Sequence, residues 1–153
     1  MAGHIDVRVV LPAPRALAWA VTNDVSGWDR RTHELLEVSD DGLRVSFRMT
    51  APLGGGGDTW SYCVDRRLDP ANHLVYARRW GSPILRYSVA WWLYEEVPEG
   101  TLLRTVQDFE MADGAPMDDA RMQELLARGT RASMERMAQR VAAAAGQDVP
   151  SRA

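Results

Sequence analysis

One long run of helical periodicity closes the chain, and whatever the preceding residues build has to cover it. Over residues 116 to about 145, apolar side chains recur at Met122, Leu125, Leu126, Met134, Met137, Ala138 and Val141. That spacing sets them along one stripe of a helix about eight turns long. Arg121, Glu124, Arg128, Arg131, Glu135, Arg136 and Arg140 take the other positions. Pro116 suits a first helical turn, where its missing N–H would be unpaired anyway. Asp118 and Asp119 put negative charge at the positive end of the helix dipole. Midway along, the stripe shrinks to Gly129, Thr130 and Ser133. A glycine inside a helix costs roughly 1 kcal/mol against alanine, so this waist needs a packing reason. Either a neighbour is pressed flat on the helix there, or the small residues floor a cavity.

Ahead of the helix the periodicity is that of strands. Residues 5–9 alternate strictly, as a half-buried strand does, and Pro12-Ala13-Pro14 ends them. Residues 15–22 read as a short helix. A second short helical piece starts near Asn23 and Asp24, both good caps, and carries Trp28. Strands follow at 35–38 and 43–49, joined through Asp41-Gly42, a strong hairpin signal. In the second of them Leu43, Val45, Phe47 and Met49 share a face. Four more strands fit 58–67, 74–80, 86–95 and 101–111, with turns at Asp69-Pro70-Ala71-Asn72 and Pro98-Glu99-Gly100. Gly146 is a helix stop, and 146–153 reads as a frayed tail. The order is strand, two short helices, six strands in hairpins, one long helix. That is an α+β domain over residues 1–145, with a seven-stranded antiparallel sheet whose twist lets it curl around the terminal helix.

Composition removes several function classes. All basic residues are arginine, so Schiff-base chemistry on a lysine is excluded. Cys63 stands alone, and His4, His33 and His73 lie in separate segments, which predicts neither a disulfide nor a metal site. A net charge of −3 offers no general attraction to nucleic acid. No apolar run approaches the roughly 20 residues of a membrane span, and no basic-then-apolar leader opens the chain, so the expectation is a cytoplasmic protein. The Gly54-to-Gly57 run lacks the lysine and helix of a phosphate-binding loop. Gly-x-Ser-x-Gly is absent as well.

The strand at 58–67 is the unusual one. Alternation gives one face Trp60, Tyr62, Val64 and Arg66, and the other Thr59, Ser61, Cys63 and Asp65. The face with two aromatic rings points inward, and Arg66 goes with it. Two readings stay open: Arg66 snorkels to water at the strand end, or it presents donors to a ligand rich in oxygen. Neighbouring strands repeat the theme with Arg79, and with Trp92 and Tyr94. In the last strand Leu103, Thr105, Gln107 and Phe109 share a face, which makes Gln107 a polar handle among apolar neighbours. An aromatic wall with a few convergent polar groups is the make-up of a small-molecule pocket.

Several ordered pieces of the chain resemble one family. They are the opening Met1-Ala2-Gly3-His4-Ile5-Asp6, then Trp19-x-x-Thr22-Asn23-Asp24-x-x-x-Trp28, and Trp60-x-Tyr62-x-x-x-Arg66. Ala77-Arg78-Arg79, Trp92-x-Tyr94 and Gln107-Asp108-Phe109-Glu110-Met111 follow, then Gly114-Ala115-Pro116 and 130–136. The set is similar to the type II polyketide aromatase/cyclases of the monodomain kind. The resemblance implies a helix-grip (START/Bet v 1-like) fold, a curved antiparallel sheet around the long C-terminal helix. It implies an enzyme that folds a poly-β-ketone borne by an acyl carrier protein, with a ketosynthase complex as a further partner, and closes an aromatic ring by aldol condensation and dehydration without a cofactor.

Carried over by position, the resemblance puts Trp28, Trp60, Tyr62, Arg66, Arg79, Trp92 and Gln107 in the substrate pocket and makes Arg66 the essential arginine. The residue pattern adds Phe47 from the inward face of its strand and Gly129 and Ser133 from the helix waist, and leaves Tyr62 and His33 as candidate proton carriers. Two positions depart from the family pattern: Leu35 stands where a catalytic tyrosine is usual, and Val64 where a serine is. The rival expectation is a non-catalytic carrier of lipids or other hydrophobic ligands on the same fold, which would need the pocket but not Arg66. A monomer or weak dimer is expected.

Overall fold

The computed structural model describes residues 2–53 and 56–146. Strand β1 (Gly3–Leu11) leads into helix α1 (Arg15–Thr22), and six strands follow in hairpin succession. These are β2 (His33–Val38), β3 (Arg44–Pro52), β4 (Thr59–Asp69), β5 (Leu74–Trp80), β6 (Leu85–Val97) and β7 (Gly100–Met111), and helix α2 (Asp119–Ala144) closes the chain. All strands join one antiparallel sheet in the order β1-β7-β6-β5-β4-β3-β2. The sheet is curved, and α2 lies along β1, with lighter contact to β7 and α1, while β3 to β6 stand further off. This is the architecture expected from the order of elements, with one correction. After β1 there is one helix, and the second piece is only a three-residue 3-10 turn, Val25–Gly27, closed by the Asp24 carboxylate accepting from the Ser26 N–H.

The long helix also begins later than Pro116. Asp118 is its N-cap, its carboxylate accepting from the Arg121 N–H at 2.8 Å, so the proline lies in the approach and not in the first turn. At the other end Gly146 has φ of +70° and donates its N–H to the Ala143 carbonyl, the left-handed stop that a glycine makes cheaply. The rest of the expected tail, residues 147–153, lies outside the described residues, as do 54 and 55 of the glycine run. Among the described residues no helix is long and apolar enough to cross a membrane.

Register puts the inner face of the sheet in transverse rows. One row runs Val45, Arg66, Ala77, Ala90, Gln107, Ile5 across β3-β4-β5-β6-β7-β1. The row to one side holds Phe47, Val64, Arg79, Ser88 and Phe109, and the row to the other holds Leu68, Val75, Trp92, Thr105 and Val7. The apolar core is split to match. One cluster gathers Phe47, Trp60, Tyr62, Val64 and Phe109 with Met122 and Leu126 from the first half of α2. The other gathers Val7, Val75, Tyr94 and Leu103 with Met134 and Val141 from its second half. The row that carries Arg66 gives Val45 and Ile5 to the first cluster, and the helix waist falls between the helix residues of the two.

Candidate functional site

Two of the six residues in the central row are small and leave room above the sheet. Ala77 and Ala90 face inward from the two middle strands and so raise the sheet very little, and both keep partial exposure despite their central place. An inward residue in mid-sheet is reached by solvent only if room stands over it. On the opposite wall Gly129 is exposed, and a Cβ there would meet nothing within 4 Å. Ser133, one turn on, is half-buried. No neighbour is pressed flat on the helix at Gly129.

Arg66 does not snorkel. It is 3 % exposed, and its guanidinium lies over the Trp92 ring at 4.3 Å from the centroid, with Trp28 on another side at 5.3 Å. Neither terminal nitrogen has a hydrogen-bond acceptor among the described residues. Burial pushes its pKa down to about 10, against a weak opposing pull from the Tyr94 phenol, so the group stays a cation at neutral pH. Face-on contact with tryptophan offsets part of the desolvation cost without consuming an N–H. The in-plane donors are left free for a ligand.

Arg79 repeats the arrangement one row away. Its guanidinium sits 4.3 Å from the Tyr62 ring centroid and 6.0 Å from that of Trp60. One of its terminal nitrogens and the Trp60 indole N–H are buried without partners. Tyr62 thus belongs with Arg79, and not with the Arg66 guanidinium as its sequence spacing suggests. Trp60 and Tyr62 pack on each other at 4.4 Å, and both are buried.

Gln107 is 2 % exposed and its amide donates to Ser88 Oγ at 2.8 Å. The handle is held, and Ser88 is the partner that one-strand periodicity could not name. His33 is half-buried at the edge, its ring 5.4 Å from both Trp28 and Phe47. Its Nδ1 is 3.3 Å from the Asp29 carbonyl oxygen and 2.8 Å from Thr32 Oγ1. Burial lowers its pKa, with Arg66 and Arg136 pushing the same way and Asp29 opposing. The Trp28 ring touches both His33 and the Arg66 guanidinium.

Two groups have surroundings that the sequence reading did not assign. The Thr105 hydroxyl, buried on the row of Trp92, has no partner among the described residues. Tyr94 is locked: its hydroxyl donates to Thr22 Oγ1 at 2.6 Å, because the Thr22 hydroxyl already donates to the Ala18 carbonyl at 2.8 Å. Burial raises the phenol's pKa. Tyr94 thereby ties α1 to the sheet behind Trp92, and α2 is tied to the same corner by Arg140 donating to the Val21 carbonyl.

Comparison with known proteins gives the family and the fold. The model of a family described as polyketide cyclase / dehydrase and lipid transport matches residues 2–146. A Streptomyces cyaneus protein, provisionally named a polyketide cyclase, is 33% identical over 144 residues, covering 92% of this chain and 95% of its own. The crystal structure of the Zhui aromatase/cyclase from a Streptomyces species superposes with a TM-score of 0.76 at 20% identity, over 92% of this chain and 94% of that one. A START superfamily protein from Mycobacterium smegmatis superposes at 0.67 with 14% identity, over 90% and 96%. The last two are likenesses of fold.

Proposed function

The chain belongs to the polyketide cyclase / dehydrase and lipid transport family, and from that premise we propose that it is an aromatase/cyclase. Its substrate would be a poly-β-ketone on an acyl carrier protein, folded in the space between α2 and the sheet and closed to an aromatic ring by intramolecular aldol reaction and loss of water. One observation carries the proposal: a fully buried guanidinium, stacked between tryptophans, with both terminal nitrogens lacking acceptors. A pocket that only held lipid tails would have no use for so costly a cation.

A methylene between two carbonyls enolises readily, so ring closure needs geometry more than a strong base. Holding a flexible chain in one fold is worth up to about 7–11 kcal/mol at the ideal limit. The enol carbon attacks the target carbonyl carbon, the new C–C bond forms as the carbonyl π pair moves to oxygen, and Arg66 stabilises that oxyanion through its two free edges. A proton then reaches the alkoxide, and water leaves with a neighbouring methylene proton. Arg66, still a cation near neutrality, is a poor proton donor. His33, its pKa lowered chiefly by burial, is neutral near pH 7 and has one ring nitrogen with a lone pair for proton transfer. Tyr62 or water is the other candidate, since Leu35 and Val64 remove the hydroxyls usual in the family.

The test is Arg66→Ala in a synthase reconstituted with its carrier protein, with products read by mass spectrometry and folding by circular dichroism. Loss of one oxyanion donor costs about 2.7–4 kcal/mol, roughly 10²–10³ in rate, so spontaneously cyclised products should replace the directed one. Arg66→Lys should rescue poorly, because a point charge cannot reproduce a planar two-pronged contact. A folded Arg66→Ala that yields the wild-type product at the wild-type rate would overturn the proposal in favour of a ligand carrier.

A further inference from the structure

The edge of the sheet carries a basic rim that the interior chemistry does not use. A cleft of about 400 Å³ lies across β2, and its lining includes Arg30, Arg31, His33, Glu34, Leu35 and Arg48. His33 and Leu35 pair with the inward Met49 and Phe47, so they come from the inner face of the sheet, while Glu34 and Arg48 come from the outer. β2 is the open edge, since the opposite edge, β1, lies against α2. The cleft is therefore where inside and outside meet. Its inner wall leads from His33 to Trp28, and from Trp28 to the Arg66 guanidinium.

The rim is basic and its charges are largely available. Three guanidiniums face one carboxylate, Glu34, and that pair with Arg48 is loose at 4.0 Å. Arg30 has no ion-pair partner among the described residues. Arg31 is held by the exposed Asp29 carboxylate at 3.0 Å, a contact that solvent screens.

We infer that this arginine-rimmed cleft is the docking seat of the acyl carrier protein, taking the acidic face of that partner and the phosphodiester of its prosthetic arm. The inference rests on the carrier-bound reading of the substrate given above. A substrate that stays tethered while its far end is deep in the sheet must leave its anionic linkage at the mouth. Guanidinium is the side chain suited to phosphate oxygens and carboxylates alike. Charge complementarity of this kind steers encounter and is weakened by salt.

The experiment compares the wild type with Arg30→Glu/Arg48→Glu, a pair that leaves the Arg31–Asp29 contact intact. Binding of the acylated carrier protein is titrated at low and high salt, and an aromatic polyphenol that enters the interior is titrated separately by tryptophan quenching. The variant should bind the carrier at least about tenfold more weakly at low salt, with the gap narrowing as salt rises, and should bind the polyphenol as the wild type does. Equal carrier affinity and salt dependence in the two proteins would overturn the docking seat and leave the proposed reaction standing. A wild type that binds no carrier while still binding polyphenol would overturn both.

Discussion

At the scale of single residues, the buried cation sets stability against activity. Burial holds the Arg66 pKa at about 10 in the folded chain, below its ordinary value, so the charged form is disfavoured by folding at every pH where it exists. Only the two tryptophan faces repay part of that cost. Arg66→Met keeps the length of the stem and removes the charge, and should be neutral or stabilising by roughly 1–4 kcal/mol in urea titration, while directed ring closure is lost. A variant clearly less stable than the wild type would mean that the guanidinium holds the fold together. His33 gives the pH counterpart. Its folded pKa lies below the unfolded value, so the unfolded chain takes up a proton first as pH falls. Stability is therefore unaffected above about pH 6.5 and declines below it, and thermal melts of His33→Asn between pH 7.5 and 5 should show a shallower decline than those of the wild type.

At the scale of elements, the waist of α2 can be tested from both sides. Gly129 has open space where a Cβ would go, so Gly129→Ala should stabilise the chain by about 1 kcal/mol and leave polyphenol binding intact. Ser133→Phe puts a ring into the same space and should block that binding in a protein that still folds. Unchanged affinity in folded Ser133→Phe would return the residue to ordinary packing. Element scale is also where the sequence was most legible. Hydrophobic period located every strand, and β5 to the residue at both ends, because each faces a core on one side. The ends it misplaced are those set by a partner. β2 begins at His33 because that residue pairs with Met49, and α2 begins beyond Pro116 because Asp118 supplies the cap. Strand alternation likewise found Arg66, Trp60 and Tyr62 on one face. It could not find Tyr94–Thr22 or Gln107–Ser88, whose partners stand 72 and 19 residues apart, nor which ring each guanidinium would lie on.

At the scale of the whole molecule, the sheet is closed by its two most distant strands, residues 3–11 pairing with 101–109. That pairing spans 90 residues at Leu11–Thr101 and 106 at Gly3–Phe109, and such long-range closure makes folding slow, in the range of about milliseconds to seconds for β-rich chains. Stopped-flow refolding should show that slow phase, and a chain lacking residues 2–11 should show no cooperative melt. The same closure bears on how the chain is made. During synthesis the first strand emerges with nothing to join, since its neighbour is the last strand translated and the helix that covers it comes later still. Its alternate apolar residues, Ile5, Val7 and Leu11, must wait in the open or in the care of a chaperone until the message is nearly read. Stalled nascent chains ending before residue 100 should therefore remain open to protease at their N-terminal segment, and those that expose residue 146 should become resistant.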